Sequence, residues 1–238
     1  MNLLLFEEKE LTEDRTLRLE GRRAEHLFCV LHAKAGDSLR AGMLGGGLGR
    51  AEVLECTRHS ALLRADPCTT PPPPPREIVP VIALPRPQSF KKTLHFIASC
   101  GIRKAYFTGA EKVEKSYWKS DAVQEEHIRS ELILGLEQGG TTILPDIRFR
   151  PHLRSFLAGE EMADLKSRLT PLLAHPRNAE KCPAQTDGRI LLAIGPEGGF
   201  SDAEVDLFTA AGFRAVEIGP WILRVEFALS FLCGRLLV

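Results

Sequence analysis

The chain has 238 residues, with 31 basic and 31 acidic side chains, so bulk charge announces no nucleic-acid or acidic partner. Apolar residues make up 44% and charged residues 26%, which excludes a disordered or fibrous chain and leaves room for a real core in one or two domains. Basic side chains dominate locally over residues 15–50 and 86–119, a pattern that suits either a phosphate-facing surface or ordinary solvated faces.

Residues 1–68 carry short apolar runs at 3–6, 38–40, 51–54 and 61–65, separated by turn signals. Strands at this spacing predict a small closed or partly closed β-barrel, interrupted by a helical turn near 24–31. The glycine-rich stretch at 45–49 lacks the register of a phosphate loop and reads as a hairpin. Five consecutive prolines at 71–75 favour extended polyproline backbone, so 69–76 is expected to be a stiff linker between domains at 1–68 and 77–238.

Beyond the linker the texture alternates. Residues 78–84 form a continuous apolar run, as in a parallel strand buried on both faces. Over 88–100, Phe90, Leu94, Ile97 and Ala98 share one helical face, and Gly101 is placed to stop the helix. Further strands are expected at 104–108, 171–174, 190–194 and 215–218, with helices at 122–136, 202–211 and from about Glu226. Alternating strands and helices predict an α/β domain built on a mostly parallel sheet. The six cysteines (Cys29, Cys56, Cys68, Cys100, Cys182, Cys233) are scattered, without metal-like spacing, as in a reducing compartment. No apolar run reaches membrane-spanning length and no basic lead-in precedes residues 3–6, so the sequence reads as cytoplasmic. No metal is expected.

Two segments carry the chemical signal. Gly195-Pro196-Glu197-Gly198-Gly199-Phe200 follows an apolar strand, and Ser201 with Glu204 reads as a capping box opening a helix. Ligands of open α/β sheets sit at strand carboxyl ends, so this turn is either a ligand site or simply a tight turn. Some 25 residues on, Ile218-Gly219-Pro220-Trp221-Ile222-Leu223-Arg224 repeats the arrangement before a helix that begins near Glu226. Side by side, two such turns would form an apolar slot lined by main-chain groups, suited to an adenine ring. Neither has a dinucleotide fingerprint or a Walker lysine.

The pair G-P-E-G-G-F-S (195–201) and I-G-P-W-I-L-R-V-E-F-A (218–228) resembles the signature of the RsmE-type methyltransferases of the SPOUT superfamily, which methylate N3 of a uridine in 16S ribosomal RNA. The barrel segment His26–His32 with Gly36-Asp37, the stretch Ala83-Leu84-Pro85-Arg86, and Glu137-Gln138-Gly139 are similar to the same family, in the same order. The resemblance implies a SPOUT α/β trefoil knot behind a PUA-like β-barrel, a homodimer, ribosomal RNA as partner and S-adenosylmethionine as cofactor. By motif match, Gly195, Pro196, Glu197 and Gly199 would form one cofactor loop and Ile218, Gly219, Trp221, Ile222 and Leu223 the other, with His175 and Pro176 on a third side. Arg22, Arg23 and Arg86 would contact RNA.

Uracil N3 must lose a proton at or before methyl transfer, and the ring then carries negative charge. Arg224 is the expected cation, and Glu226 a base or the residue that orients Arg224; a purely structural pair of the two fits equally. The departures from the family fall on polar residues. Its R-T-E-T-A is Arg224-Val225-Glu226-Phe227-Ala228 here, so two hydroxyls are missing and Phe227 is bulky. Phe96 and Ser99 stand where a lysine and a glutamate are usual, and Gly140 and Thr141 where an arginine is. Two alternatives therefore stay open: a non-catalytic RNA-binding paralogue, and a methyltransferase for another RNA nucleotide.

Overall fold

The computed structural model describes residues 2–176, 179–184, 186 and 189–237; the outermost residues of the two expected domains, Met1 and Val238, lie outside them. The chain divides into two compact units, the first running through Pro74 and including Ile133–Leu144, the second holding Pro75–Leu132 and the chain from Pro145 onward. No described helix is long and apolar enough to cross a membrane.

The first unit contains strands β1 (Leu4–Phe6) and β2 (Thr16–Glu20), helix α1 (Gly21–Cys29), and strands β3 (Ser38–Met43), β4 (Leu48–Cys56) and β5 (Ser60–Ala65). They form one sheet in the order β1-β3-β4-β5-β2, with β1 parallel to β3 and the other pairs antiparallel. Among the described residues β1 and β2 remain its edges, which is the partly closed of the two expected forms. Its core gathers Leu17, Leu19, Leu27, Val53 and Leu63. The sequence reading missed β2, although its residues alternate in register with the pleat: Leu17 and Leu19 are buried, Arg18 and Glu20 exposed. Residues 45–47 turn the β3–β4 hairpin, as expected.

The second unit is built on a seven-stranded, wholly parallel sheet. Its elements are β6 (Ile78–Ala83), α2 (Pro87–Ser99), β7 (Lys104–Thr108), α3 (Glu125–Gly139, shared with the first unit), β8 (Asp146–Arg150), α4 (Leu153–Leu157), α5 (Glu160–Arg168), β9 (Thr170–Ala174), β10 (Glu180–Lys181), β11 (Ile190–Ile194), α6 (Asp202–Ala210), β12 (Arg214–Glu217) and α7 (Val225–Leu237). The sheet order is β10-β12-β9-β11-β6-β7-β8. β11 thus inserts between β9 and β6, both laid down earlier in the chain. Pro87 begins α2, where its missing N–H is not needed. The helix buries Phe90, Leu94, Ile97 and Ala98, the face read from the sequence. α3 starts at Glu125 rather than near 122, because a separate 3₁₀ turn at Asp121–Val123, started by the Ser120 hydroxyl, precedes it. β8 escaped the sequence reading because charged and apolar residues alternate on a strand that is only half buried.

That edge strand is fastened by a polar network. Glu161 on α5 accepts from Tyr106 at 2.8 Å, Arg148 at 3.0 Å and Arg150 at 2.8 Å. Burial alone would push the Glu161 carboxyl up, but the hydrogen bonds from Tyr106 and Arg150 outweigh it and hold the group below the usual carboxylate range. A group depressed in the folded state stabilises the fold above its unfolded value and loses that contribution as pH falls through the folded one. Glu161→Gln is therefore expected to cost about 1 kcal/mol at pH 7. In urea denaturation at a series of pH values, the gap to wild type should close as the solution is acidified below about pH 4.3, where the unfolded carboxylate protonates. A gap that persists undiminished to pH 2 would contradict this account.

Candidate active site

Three strand ends converge at one edge of the parallel sheet. Ala174, the last residue of β9, is in register with Ile194 of β11 on one side and with Val216 of β12 on the other. Because these strands run the same way, the segments leaving them start at the same carboxyl edge, where open α/β sheets hold ligands. These segments begin at His175, Gly195 and Ile218. The His175 N–H donates to Val216 O at 3.1 Å, tying the first strand end to the third. His175 is half-buried and Pro176 exposed beside it.

The turn between β11 and α6 is braced on several sides. Glu197 Oε1 accepts the Arg86 N–H at 3.1 Å and lies 3.9 Å from Arg86 Nε. Arg86, expected on the RNA side, thus holds the Glu197 carboxylate of the turn after β11. Lys112 Nζ donates to Gly198 O at 2.9 Å. The Gly199 N–H returns to Pro196 O at 2.8 Å, and Gly199 sits at φ +69°, a left-handed conformation that costs glycine little. Ser201 and Glu204 face each other as the expected capping box. Its carboxylate half is firm: Glu204 Oε2 accepts the Ser201 N–H at 2.9 Å, while the buried Ser201 hydroxyl has no hydrogen bond of its own. The other oxygen, Oε1, accepts the Glu111 N–H at 2.7 Å, so one buried side chain joins the turn to the segment after β7.

The segment between β12 and α7 is built differently. Gly219 takes φ +124°, and beyond it Trp221 and Ile222 are 80% and 90% exposed, with Leu223 and Arg224 exposed as well. Among the described residues the Arg224 guanidinium has no hydrogen bond or ion pair, while its carbonyl accepts the N–H groups of Phe227 and Ala228 at 3.0 and 2.8 Å and so opens α7. Glu226, only 4% exposed, does not meet Arg224. Its ion-pair partner among the described residues is Lys92, with Nζ 3.6 Å from Oε1, and neither carboxylate oxygen has a hydrogen bond. Behind this segment a cleft of about 230 Å³ is lined by Lys181, Cys182, Glu217, Ile218, Gly219, Phe231 and Arg235. Of the two glycine-bearing loops, only the one after β12 lines this cleft, through Ile218 and Gly219, and its main-chain groups there can read the edge of a flat heterocycle.

The arginines assigned to RNA in the first unit are already engaged. Arg22 makes a two-pronged pair with Glu137, at 2.9 and 3.0 Å. Arg23 binds the Glu10 carboxylate and donates to Leu5 O at 3.0 Å. Lys92 and Lys112 were not singled out from the sequence, since each acts on a residue far along the chain and no spacing announces it. If Glu204 is the brace described, Glu204→Ala should lower stability by about 2 kcal/mol in urea denaturation, having removed two hydrogen bonds to backbone N–H groups. A change within about 0.5 kcal/mol would show the brace to be dispensable.

Residues 72–237 match the family model for the RNA methyltransferase domain. The chain is 32% identical over 246 residues to the ribosomal RNA small subunit methyltransferase E of Treponema pallidum, covering 100% of this chain and 91% of the relative. Its identity to methyltransferase E 1 of Borreliella burgdorferi is 27%, over 96% of this chain and 94% of that one. A putative methyltransferase of Legionella pneumophila, solved with bound S-adenosylmethionine, shares the fold with a TM-score of 0.74 at 22% identity, covering 98% of this chain and 97% of that one. The Neisseria gonorrhoeae ribosomal RNA small subunit methyltransferase E bound to S-adenosylmethionine gives a TM-score of 0.71 at 22% identity, covering 98% and 96%. With a family model over most of its length and an RsmE relative aligned over the whole of this chain, the chain belongs to the RsmE family of SPOUT RNA methyltransferases.

Proposed function

We propose that this protein transfers a methyl group from S-adenosylmethionine to N3 of a uridine in small-subunit ribosomal RNA, as a cytoplasmic homodimer. The observation that carries the reading is the meeting of the segments after β9, β11 and β12 at one sheet edge. Gly195, Pro196, Glu197 and Gly199 on one side, Ile218, Gly219, Trp221, Ile222 and Leu223 on another, and His175 with Pro176 between them would hold the cofactor. The residues present fit such a ligand: positive-φ glycines leave main-chain groups unshielded, and the turn after β11 is rigidly braced. When bound, S-adenosylmethionine supplies an electrophilic methyl group on its sulfonium.

The chain's own residues align the acceptor and handle its proton and charge. The Arg224 guanidinium, without an ion pair among the described residues, is available to oppose the negative charge that develops on the uracil oxygens as N3 is deprotonated. Glu226 has unused acceptor sites on both oxygens and is the assigned proton acceptor for N3.

Residues 1–68 are assigned as the PUA-like RNA-holding domain, 69–76 as the linker and 77–238 as the catalytic domain. The insertion of β11 between β9 and β6 supports the trefoil knot that the family resemblance implies. Arg22, Arg23 and Arg86 remain the proposed RNA contacts. Arg40 and Arg50 join them, because they stand directly opposite on β3 and β4 and are both exposed. Like charges so placed repel unless an anion lies between them. A second copy accounts for Trp221, Ile222, Phe227 and Phe231, which are exposed together around the start of α7.

Nucleoside mass spectrometry of ribosomal RNA from a deletion strain should reveal one missing N3-methyluridine; an unchanged profile would sink the assignment. Arg224→Ala should lower kcat by about 10²-fold or more, with S-adenosylmethionine affinity within about twofold of wild type by calorimetry. Full activity in that variant would remove Arg224 from the mechanism. A non-catalytic paralogue, favoured by Val225 and Phe227 where hydroxyl side chains are usual, predicts no turnover even by wild type with unmodified small-subunit RNA.

A further inference from the structure

Glu226 is the second residue of α7, buried, with both carboxylate oxygens lacking a hydrogen bond. An ionised carboxylate in that condition is costly unless a cation stands close by. Among the described residues that cation is Lys92 of α2, whose Nζ lies 3.6 Å from Oε1 while more than half of its side chain is in solvent. A lysine with a flexible stem can lay its apolar part along a helix and still bring its charge to a buried partner. α2 and α7 pack against each other, so the pair ties the first turn of α7 to α2. That turn is entered directly from the Ile218–Arg224 segment, which is exposed from Pro220 onward.

The same stretch of chain, from the end of β6 into α2, thereby supports both loops of the site. Arg86 at its start holds Glu197 of the first loop, and Lys92, six residues further on, holds Glu226 at the exit of the second. No other described element contributes a cation to both.

We propose that Lys92 is a positioning residue for methyl transfer: by neutralising and orienting the buried Glu226, it holds the Arg224-bearing loop and the Glu226 carboxylate in place for the substrate ring. Lys92 need not touch RNA or cofactor. The proposal rests on the assignment of Glu226 to the active site.

The test compares full-length Lys92→Met, Lys92→Arg and Glu226→Gln with wild type, using S-adenosylmethionine and small-subunit RNA from a strain lacking the enzyme. Lys92→Met should lower kcat about tenfold or more, with the KM for S-adenosylmethionine within about twofold, because misplacing a catalytic group costs rate more than ground-state binding. Lys92→Arg, which keeps the charge, should recover most of that loss. Unchanged kcat in Lys92→Met beside an inactive Glu226→Gln overturns the role of Lys92 and leaves the assignment of Glu226 intact. A fully active Glu226→Gln overturns that assignment and the proposal with it. Failure of Lys92→Arg to rescue, or a Lys92→Met defect confined to KM, also counts against it. Should Lys92→Met not fold, the double variant Lys92→Met/Glu226→Gln, which removes both charges, is expected to fold again; if it does not, the pairing is wrong.

Discussion

The parallel pairing of β9 with β11 on one side and β12 on the other is the constraint on which the rest of the catalytic unit depends. In a sheet covered on both faces, long apolar strands such as Ile190–Ile194 can shift only by exposing buried side chains, so their register is stiff. That stiffness is inherited by the segments that leave the strands. A slip of β11 by one residue would shift Gly195 by about 3.3 Å relative to His175 and turn the side chains of the strand to the opposite faces of the sheet. The order of insertion matters as much as the register. β11 takes its place between strands already present in the chain, and only that order puts the glycine-rich turn next to β9 rather than at the end of the sheet.

The two glycine-bearing loops use that edge in different ways. The loop after β11 is closed by groups from its surroundings: Arg86 and Lys112 from neighbouring segments, and Glu204 from its own helix. Each of these bonds joins a charged side chain to the backbone or a backbone group to a carboxylate, and such bonds are the stronger kind. The loop after β12 instead carries exposed apolar side chains and a guanidinium unpaired among the described residues, and its anchorage lies at its exit, at Glu226. A preorganised wall facing a more open one suits a site that must admit a large substrate and still align a small group for transfer.

Some of the departures noted in the sequence acquire a physical context. Phe96 and Ser99 removed a lysine and a glutamate from the face of α2, yet a cation from the same helix, Lys92 one turn before Phe96, still reaches the start of α7. Gly140 and Thr141 fall within the Ile133–Leu144 segment of the first unit, whose Glu137 carbonyl takes the N–H groups of Asn2 and Leu3, both at 3.0 Å. Val225, where a hydroxyl side chain is usual, is buried at the start of α7.

The alternation of apolar runs and helical faces was legible in the chain itself because burial imposes a period that side-chain chemistry must follow: β6, α2, β11 and α6 could be read within a residue or two. The glycines at 195, 199 and 219 were legible for a related reason, since turns at positive φ or under tight approach admit few other residues. The half-buried strand β8, with charges woven through it, carried too weak a pattern. What no local pattern encodes is which distant charges meet. That Arg22 and Arg23 are occupied by Glu137 and Glu10, that Glu226 faces Lys92 rather than Arg224, and that Lys112 caps Gly198 were decided only by tertiary packing. Ion pairs act through space, and the distances that set them exist only once the sheet has brought remote segments together.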